Sequence, residues 1–510
     1  MKKWIKPLSA MALASAFLVL LMASMGGKAE AASKAKYAAD VPESIMTPNR
    51  VKTRAGTLEF FDGLPSPKTV EIVYDTLDRS RGMRAFLDGL PAASLYAMCH
   101  GLNKVGVKGS AVGIFEDLYN ARSLLLTPNT TTVYVLLCYD LEDGPLVVDA
   151  PVGVLGAVND IYFRHVVDIG VTGPDKGKGG KYLFVPPGYK GELPDKGYFV
   201  VKSPSYMNWQ FTRAFVGKDG LKATVAAVKK KMRVYPYSQR DHPPKTTFVN
   251  LTDKKFNTIH ANNFEFFNEL KAVVDKEPAG ALPGELMGVL ASIGIKKGKP
   301  FKPDARLRTA LEEGVAFGNA VARATIFAPR NRDGHYFKEG NWKTGFVGGN
   351  HEFTSEHGRL LDARILFHYY ATGITPAMVS APPGKGSQYA HANRDSKGRY
   401  LDGGKTYSIT LKAPIPAKDF WSWIVYDTQT RSLLETDQKF AGVDSKSPDL
   451  KPNKDKSYTV YFGPKAPKGK EGNWVQTMPG KAWSVVLRLY GPLKPWFDKT
   501  WQPGEIELVN

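Results

Sequence analysis

The sequence predicts an α+β protein with an N-terminal α+β domain, a helical middle segment and a C-terminal antiparallel β-sandwich of jelly-roll-like type. Three observations carry this. Residues 131–141 form a nearly continuous run of Thr, Val, Tyr and Leu, as a strand covered on both faces would, and a Glu-Asp-Gly-Pro turn leads to a second strand at 146–150. Segments 221–233, 263–277, 283–294 and 303–325 carry apolar residues at helical spacing with few β-branched runs. From Thr406 onward, period-two alternation recurs between Pro/Gly turns in TYSITLKAPI, FWSWIVYDT, SYTVYFGP, NWVQT and AWSVVLRLY.

Taken in order, residues 1–31 read as a signal peptide. Lys2, Lys3 and Lys6 form a positive start, 8–25 is uncharged, and Ala29-Glu30-Ala31 is a small-x-small cleavage site. Residues 32–68 are an extended lead-in. The α+β domain spans 69–205: a helix over 69–81 continues through 83–90, and Pro91 separates it from a second helix reaching Asn103. Strands follow at 131–141, 146–150 and 182–185. Residues 206–330 are the helical segment, with Asn263 capping FEFFNELKAVV. A loop-rich connection with one helix, 355–370, fills 331–403, and the β-sandwich occupies 404–510.

The formal charge is +20; the first 31 residues contribute +3 (four lysines against Glu30), leaving +17. The basic residues are scattered and the predicted compartment is extracytoplasmic, so nucleic acid is excluded as a partner, and a polar or anionic small molecule or envelope glycan fits the charge better. Beyond the signal peptide no segment is long and apolar enough to span a bilayer. Cys99 and Cys138 both sit in apolar runs, which suits either one disulfide or two buried thiols.

Polar side chains concentrate in 159–168, where Asp160, Arg164, His165 and Asp168 interrupt an apolar stretch. A His beside an Asp that fixes its tautomer can supply acid/base chemistry, which makes His165, Asp160 and Asp168 the catalytic candidates. Arginine pairs with carboxylate or phosphate, so Arg164, Arg431 and Arg488, joined by Asn129, Tyr134 and Trp474, are the ligand-binding candidates. Their bland alternative is structural: buried ion pairs, a satisfied core histidine, and a tryptophan in the sandwich core. The loop 173–182 lacks the phosphate-loop spacing and is followed by a strand. His351-Glu352 and Glu356-His357 do not make the HExxH zinc pattern, residues 393–398 read as a turn, and no Gly-x-Ser-x-Gly occurs. No metal and no cofactor is predicted.

Residues 126–129 (Leu-Thr-Pro-Asn), Thr132-Val133-Tyr134, Asp140-Leu141, Gly144-Pro145, Asp168-Ile169-Gly170 and the GPDKGKGGKYL and PPGY runs resemble the bacterial domain-of-unknown-function family numbered 1254. Phe420-Trp421, Tyr426-Asp427, Thr430-Arg431, Tyr461-Phe462-Gly463-Pro464, Asn473-Trp474, Leu487-Arg488-Leu489-Tyr490-Gly491-Pro492 and the TWQPGEIE ending resemble the companion family numbered 1214. One departure is Asp455-Lys456-Ser457, where that family shows Asp-Gly-Ser. The resemblance implies an exported protein in which an α+β domain precedes a jelly-roll-like one. It implies no activity.

The expectation is therefore an exported, periplasmic protein binding a polar anionic small molecule or glycan fragment in an inter-domain cleft. If it is an enzyme, it transforms that ligand by acid/base chemistry. The alternative is a non-catalytic envelope scaffold.

Overall fold

A computed structural model describes residues 36–380 and 382–509; the expected signal peptide lies outside them. The chain divides into two compact units at Val73/Tyr74. In the first, β1 (Arg50–Thr53), β2 (Gly56–Phe61) and β3 (Leu64–Pro65) form a small antiparallel meander. Thr69 hydrogen-bonds to the backbone of Glu59 through both its donor and its acceptor. The division falls inside α1 (Pro67–Lys104), one continuous helix that carries Pro91 in its interior.

That continuity departs from the two helices expected. Proline removes one i→i−4 hydrogen bond and crowds the preceding turn. Here the turns on both sides bury Ala85, Phe86, Leu90, Ala92, Ala93 and Leu95, and packing of that face offsets the lost bond.

Within the second unit, a six-stranded sheet has the order β13-β4-β5-β11-β7-β8. Its strands are β4 (Val112–Ile114), β5 (Thr132–Asp140), β7 (Leu155–Asp160), β8 (His165–Gly170), β11 (Met207–Phe215) and β13 (Phe248–Asn250). A four-stranded sheet is formed by β6 (Leu146–Ala150), β9 (Gly180–Val185), β10 (Phe199–Lys202) and β12 (Arg233–Pro236), in the order β10-β9-β6-β12. Side-chain parity explains the apolar run of β5. Val133, Val135, Leu137 and Tyr139 face the four-stranded sheet, while Leu136 and Cys138 enter the other core.

The helices of the middle segment are α2 (Gly220–Lys231), α3 (Glu265–Lys276), α4 (Gly284–Ser292) and α5 (Ala305–Phe327). The segment is not wholly helical: β11, its first element, is a central strand. Alternation in Trp209-x-Phe211-x-Arg213 was the available signal. α5 crosses α1 closely because Gly314 has no side chain, and a Cβ there would lie 2.8 Å from the Met83 amide nitrogen. Asp304 caps α5, accepting from the Leu307 N–H.

After a short hairpin, β14 (Thr354–Ser355) and β15 (Gly358–Arg359), come α6 (Leu361–Tyr370) and the single turn α7 (Pro376–Val379). The C-terminal region holds two sheets of four. One is β16 (Ser387–Ala392), β22 (Trp483–Pro492), β18 (Ala417–Asp427) and β19 (Gly442–Asp444). The other is β21 (Trp474–Gln476), β20 (Tyr458–Gly463), β17 (Tyr407–Leu411) and β23 (Glu507–Leu508). They pack face to face, with the Phe462 ring 5.3 Å from Trp483 and Tyr407 5.7 Å from Trp483. α8 (Lys494–Phe497) follows β22. Lys456 sits at φ +65°, a left-handed conformation that glycine adopts without strain. Among the described residues no helix is long and apolar enough to cross a membrane.

Candidate functional site

Where β5 and β11 face β16 and β22, the two sheets leave a cavity of about 100 Å³. Strand alternation sets its walls. Trp209, Phe211 and Arg213 project from β11, and Tyr134 stands directly across from Arg213 on β5. On the facing wall, Tyr389 pairs with Arg488 and His391 with Val486. Each wall thus presents a cross-strand Arg–Tyr pair. Leu125, Leu126, Phe346, Phe367 and Met378 complete a mostly apolar lining.

The turn before β5 ties the walls together. Asn129 Oδ1 accepts from the N–H and hydroxyl groups of Thr131 and Thr132, and its Nδ2 donates to the Tyr134 hydroxyl at 2.8 Å. Thr127 takes a left-handed conformation (φ +42°), and its N–H donates to the Arg431 carbonyl at 2.9 Å. Arg488 Nη2 donates to the Thr127 carbonyl at 2.6 Å and to the Tyr426 hydroxyl at 2.7 Å. Tyr426 in turn donates to the Pro128 carbonyl at 2.6 Å. The Arg431 guanidinium stacks 4.1 Å from the Tyr369 ring and donates to the Tyr369 and Gln429 carbonyls; burial, with Arg323 nearby, lowers its pKa to about 10.

Arg213 and Arg488 are 7% and 6% exposed, and among the described residues no Asp or Glu lines the cavity or pairs with either. Burial opposes both charges. Tyr134, Tyr389 and Tyr490 act on both guanidinium groups and hold them charged, with Tyr426 adding to Arg488. Burial alone would raise the pKa of Tyr389; Arg213 and Arg488 together bring it below the ordinary tyrosine value. Five buried polar atoms on the lining have no hydrogen-bond partner: Trp209 Nε1, Arg213 Nε, Thr372 Oγ1, His391 Nε2 and Arg488 Nε. Burial, followed by the charge of Lys343, pushes the His391 pKa well down, so its imidazole is neutral.

Of the residues singled out from sequence, Asn129, Tyr134, Arg431 and Arg488 converge at this junction, and Tyr134 and Arg488 line the cavity itself. The other five lie elsewhere. Asp160 is fully buried, accepts from the Tyr162 and Arg164 N–H groups and pairs with Arg164 Nε at 2.5 Å. Arg164 also donates to the Ala281 carbonyl. His165 Nε2 is 2.9 Å from Asp168 Oδ1, which also accepts from Thr375 Oγ1 at 2.5 Å. Trp474 donates to the Gly463 carbonyl. The β7–β8 cluster still bears on the cavity at one remove. Asn159 makes two hydrogen bonds to Ile374, and with Asp168 it anchors the strap 371–379, from which Ala371, Thr372 and Met378 reach the lining. Arg213, Tyr389, Trp209 and Thr372 were missed; strand alternation could have found the first three. Among the described residues no group of three or more His, Cys, Asp or Glu could hold a metal ion.

Residues 111–236 match the family model described as a protein of unknown function, DUF1254, and 386–494 match the one described as a protein of unknown function, DUF1214, in that order along the chain. The cavity lies between these two matched stretches, and motif residues of both meet in the 126–129 turn. Among solved structures, the VPA0106 protein from Vibrio parahaemolyticus is similar at a TM-score of 0.50 and 18% identity, covering 85% of this chain and 100% of its own, a likeness of fold. An uncharacterized protein from Burkholderia cenocepacia aligns at a TM-score of 0.39 and 12% identity, covering 86% of this chain and 96% of its own. No curated protein sequence matches.

Proposed function

We propose that this protein, exported to the periplasm, binds a compact anionic small molecule in the cavity between β5/β11 and β16/β22. One observation carries the reading: two buried guanidinium groups face the same cavity without a carboxylate, each with an unpartnered Nε–H. No carboxylate offsets either charge, and an anion seated between the two would take charge-assisted hydrogen bonds from both. Export is supported by the signal-like residues 1–31 and by the Cys99–Cys138 disulfide, a bond that persists in oxidising compartments. The reading is one of binding, since the His165–Asp168 pair stands outside the cavity.

Thermal unfolding in sodium formate, against sodium chloride at equal ionic strength, tests it. Formate at ten times its Kd should stabilise the protein by about 1.4 kcal/mol. Arg213→Met keeps the side-chain bulk, removes one charge and should abolish that response. Equal behaviour of wild type and variant in both salts would overturn the assignment.

A further inference from the structure

We infer that the anion taken here is a monocarboxylate with an apolar body, a single-ring or short branched-chain acid, and not a phosphate or a sugar acid. This rests on the anion-binding reading of the same cavity and concerns what else the ligand carries.

Size comes first. A cavity of about 150 Å³ lined by aliphatic and aromatic groups accommodates benzene. At about 100 Å³ and partly open to solvent, this one holds an apolar body no larger than a single ring or a short branched chain.

Donor arithmetic comes second. Arg488 Nη2 is already engaged by the Thr127 and Pro128 carbonyls and the Tyr426 hydroxyl, while its buried Nε–H has no partner. Arg213 likewise has a free Nε–H. A carboxylate has two oxygens and can satisfy both of these buried Nε–H groups at once. The remaining oxygens of a phosphate would be turned toward Leu125, Phe211, Phe346 and Met378, where burying an unpaired polar atom costs free energy. The ring hydroxyls of a uronic acid meet the same walls.

The third consideration is the distribution of polarity along the wall. On β11 the cavity-facing positions read Trp209, Phe211, Arg213, so the charged residue and the indole N–H are separated by four residues, about 14 Å of strand, with an aromatic ring between. A headgroup at Arg213 therefore places the body of the ligand over Phe211. Trp209 Nε1 and Thr372 Oγ1, both unpartnered, can receive a neutral substituent such as a hydroxyl or carbonyl beyond it. Nothing charged is wanted there.

Isothermal titration of the wild-type protein at fixed ionic strength tests this with named probes: benzoate, cyclohexanecarboxylate, acetate, benzamide, glucuronate and inorganic phosphate. The expected order is benzoate and cyclohexanecarboxylate at least tenfold tighter than acetate, with no detectable binding of benzamide, glucuronate or phosphate. Arg213→Met should lose benzoate. Phosphate or glucuronate binding as well as benzoate, or acetate matching it, would overturn the ligand class and leave the anion site standing. Binding of benzamide as tight as benzoate, or no binding by any probe, would overturn both. Because the ranking uses wild-type protein, it holds even if the variant folds poorly.

Discussion

Tyr389 lies between two guanidinium groups that no carboxylate shares. Facing it are Arg213 and Tyr134 from the six-stranded sheet, Arg488 and Tyr490 from β22, Tyr426 from β18, and neutral His391 on its own strand. Its depressed pKa means that the phenolate is stabilised in the folded state. By linkage that contribution is present above the tyrosine's unfolded value and is lost as pH falls through the folded one. The same phenolate competes with an added anion for the two arginines. Benzoate affinity should therefore fall as pH rises through the Tyr389 transition, and Tyr389→Phe should flatten that fall. The variant should also remove the earliest-titrating tyrosinate signal in near-ultraviolet difference spectra. An unchanged titration curve in Tyr389→Phe would show that the two arginines do not act on this hydroxyl.

At the scale of elements, α1 and β5 are joined covalently. Cys99 lies on the helix and Cys138 on the strand, a separation of 39 residues, and the bond holds β5, with Tyr134, against the helical core. Closing a loop of that length lowers the entropy of the unfolded chain by an amount worth about 4 kcal/mol. The double variant Cys99→Ala/Cys138→Ala should lose about 2–4 kcal/mol in urea unfolding relative to wild type. A loss below about 1 kcal/mol would mean that packing alone positions β5. The strap 371–379 is held differently, by the paired hydrogen bonds from Asn159 and the Thr375–Asp168 bond, with Gly373 at φ +74° lying against Phe211. That is what the dense polar set of 159–168 does locally: it fixes the backbone that closes one side of the cavity.

Across the molecule from Tyr74 onward, one apolar cluster runs from Ala85 to Ile506 and includes residues of both family-matched stretches and of the helices between them. The cavity is lined in part by that shared core, so the two stretches do not have separate interiors at their junction. Scanning calorimetry should accordingly show a single transition in which calorimetric and van't Hoff enthalpies agree. Two resolved peaks assignable to the two halves would contradict a shared core.

Much of this was legible in the amino-acid order alone, for local reasons. Period-two alternation marked the C-terminal strands, the continuous run at 131–141 marked a strand with both faces covered, and helical spacing marked α3 and α5. Asn129, Tyr134, Arg431 and Arg488 stood out as polar groups in apolar surroundings, and they meet. What the chain could not reveal locally is which partners those groups lack. A guanidinium reads the same in sequence whether a carboxylate faces it or a cavity does. Only the register Arg213↔Tyr134 and Tyr389↔Arg488, brought face to face by folding, left two charges without a carboxylate partner. The same packing gave Asp160 and Asp168 structural partners, because a buried carboxylate is held by whichever donors the tertiary fold places within reach.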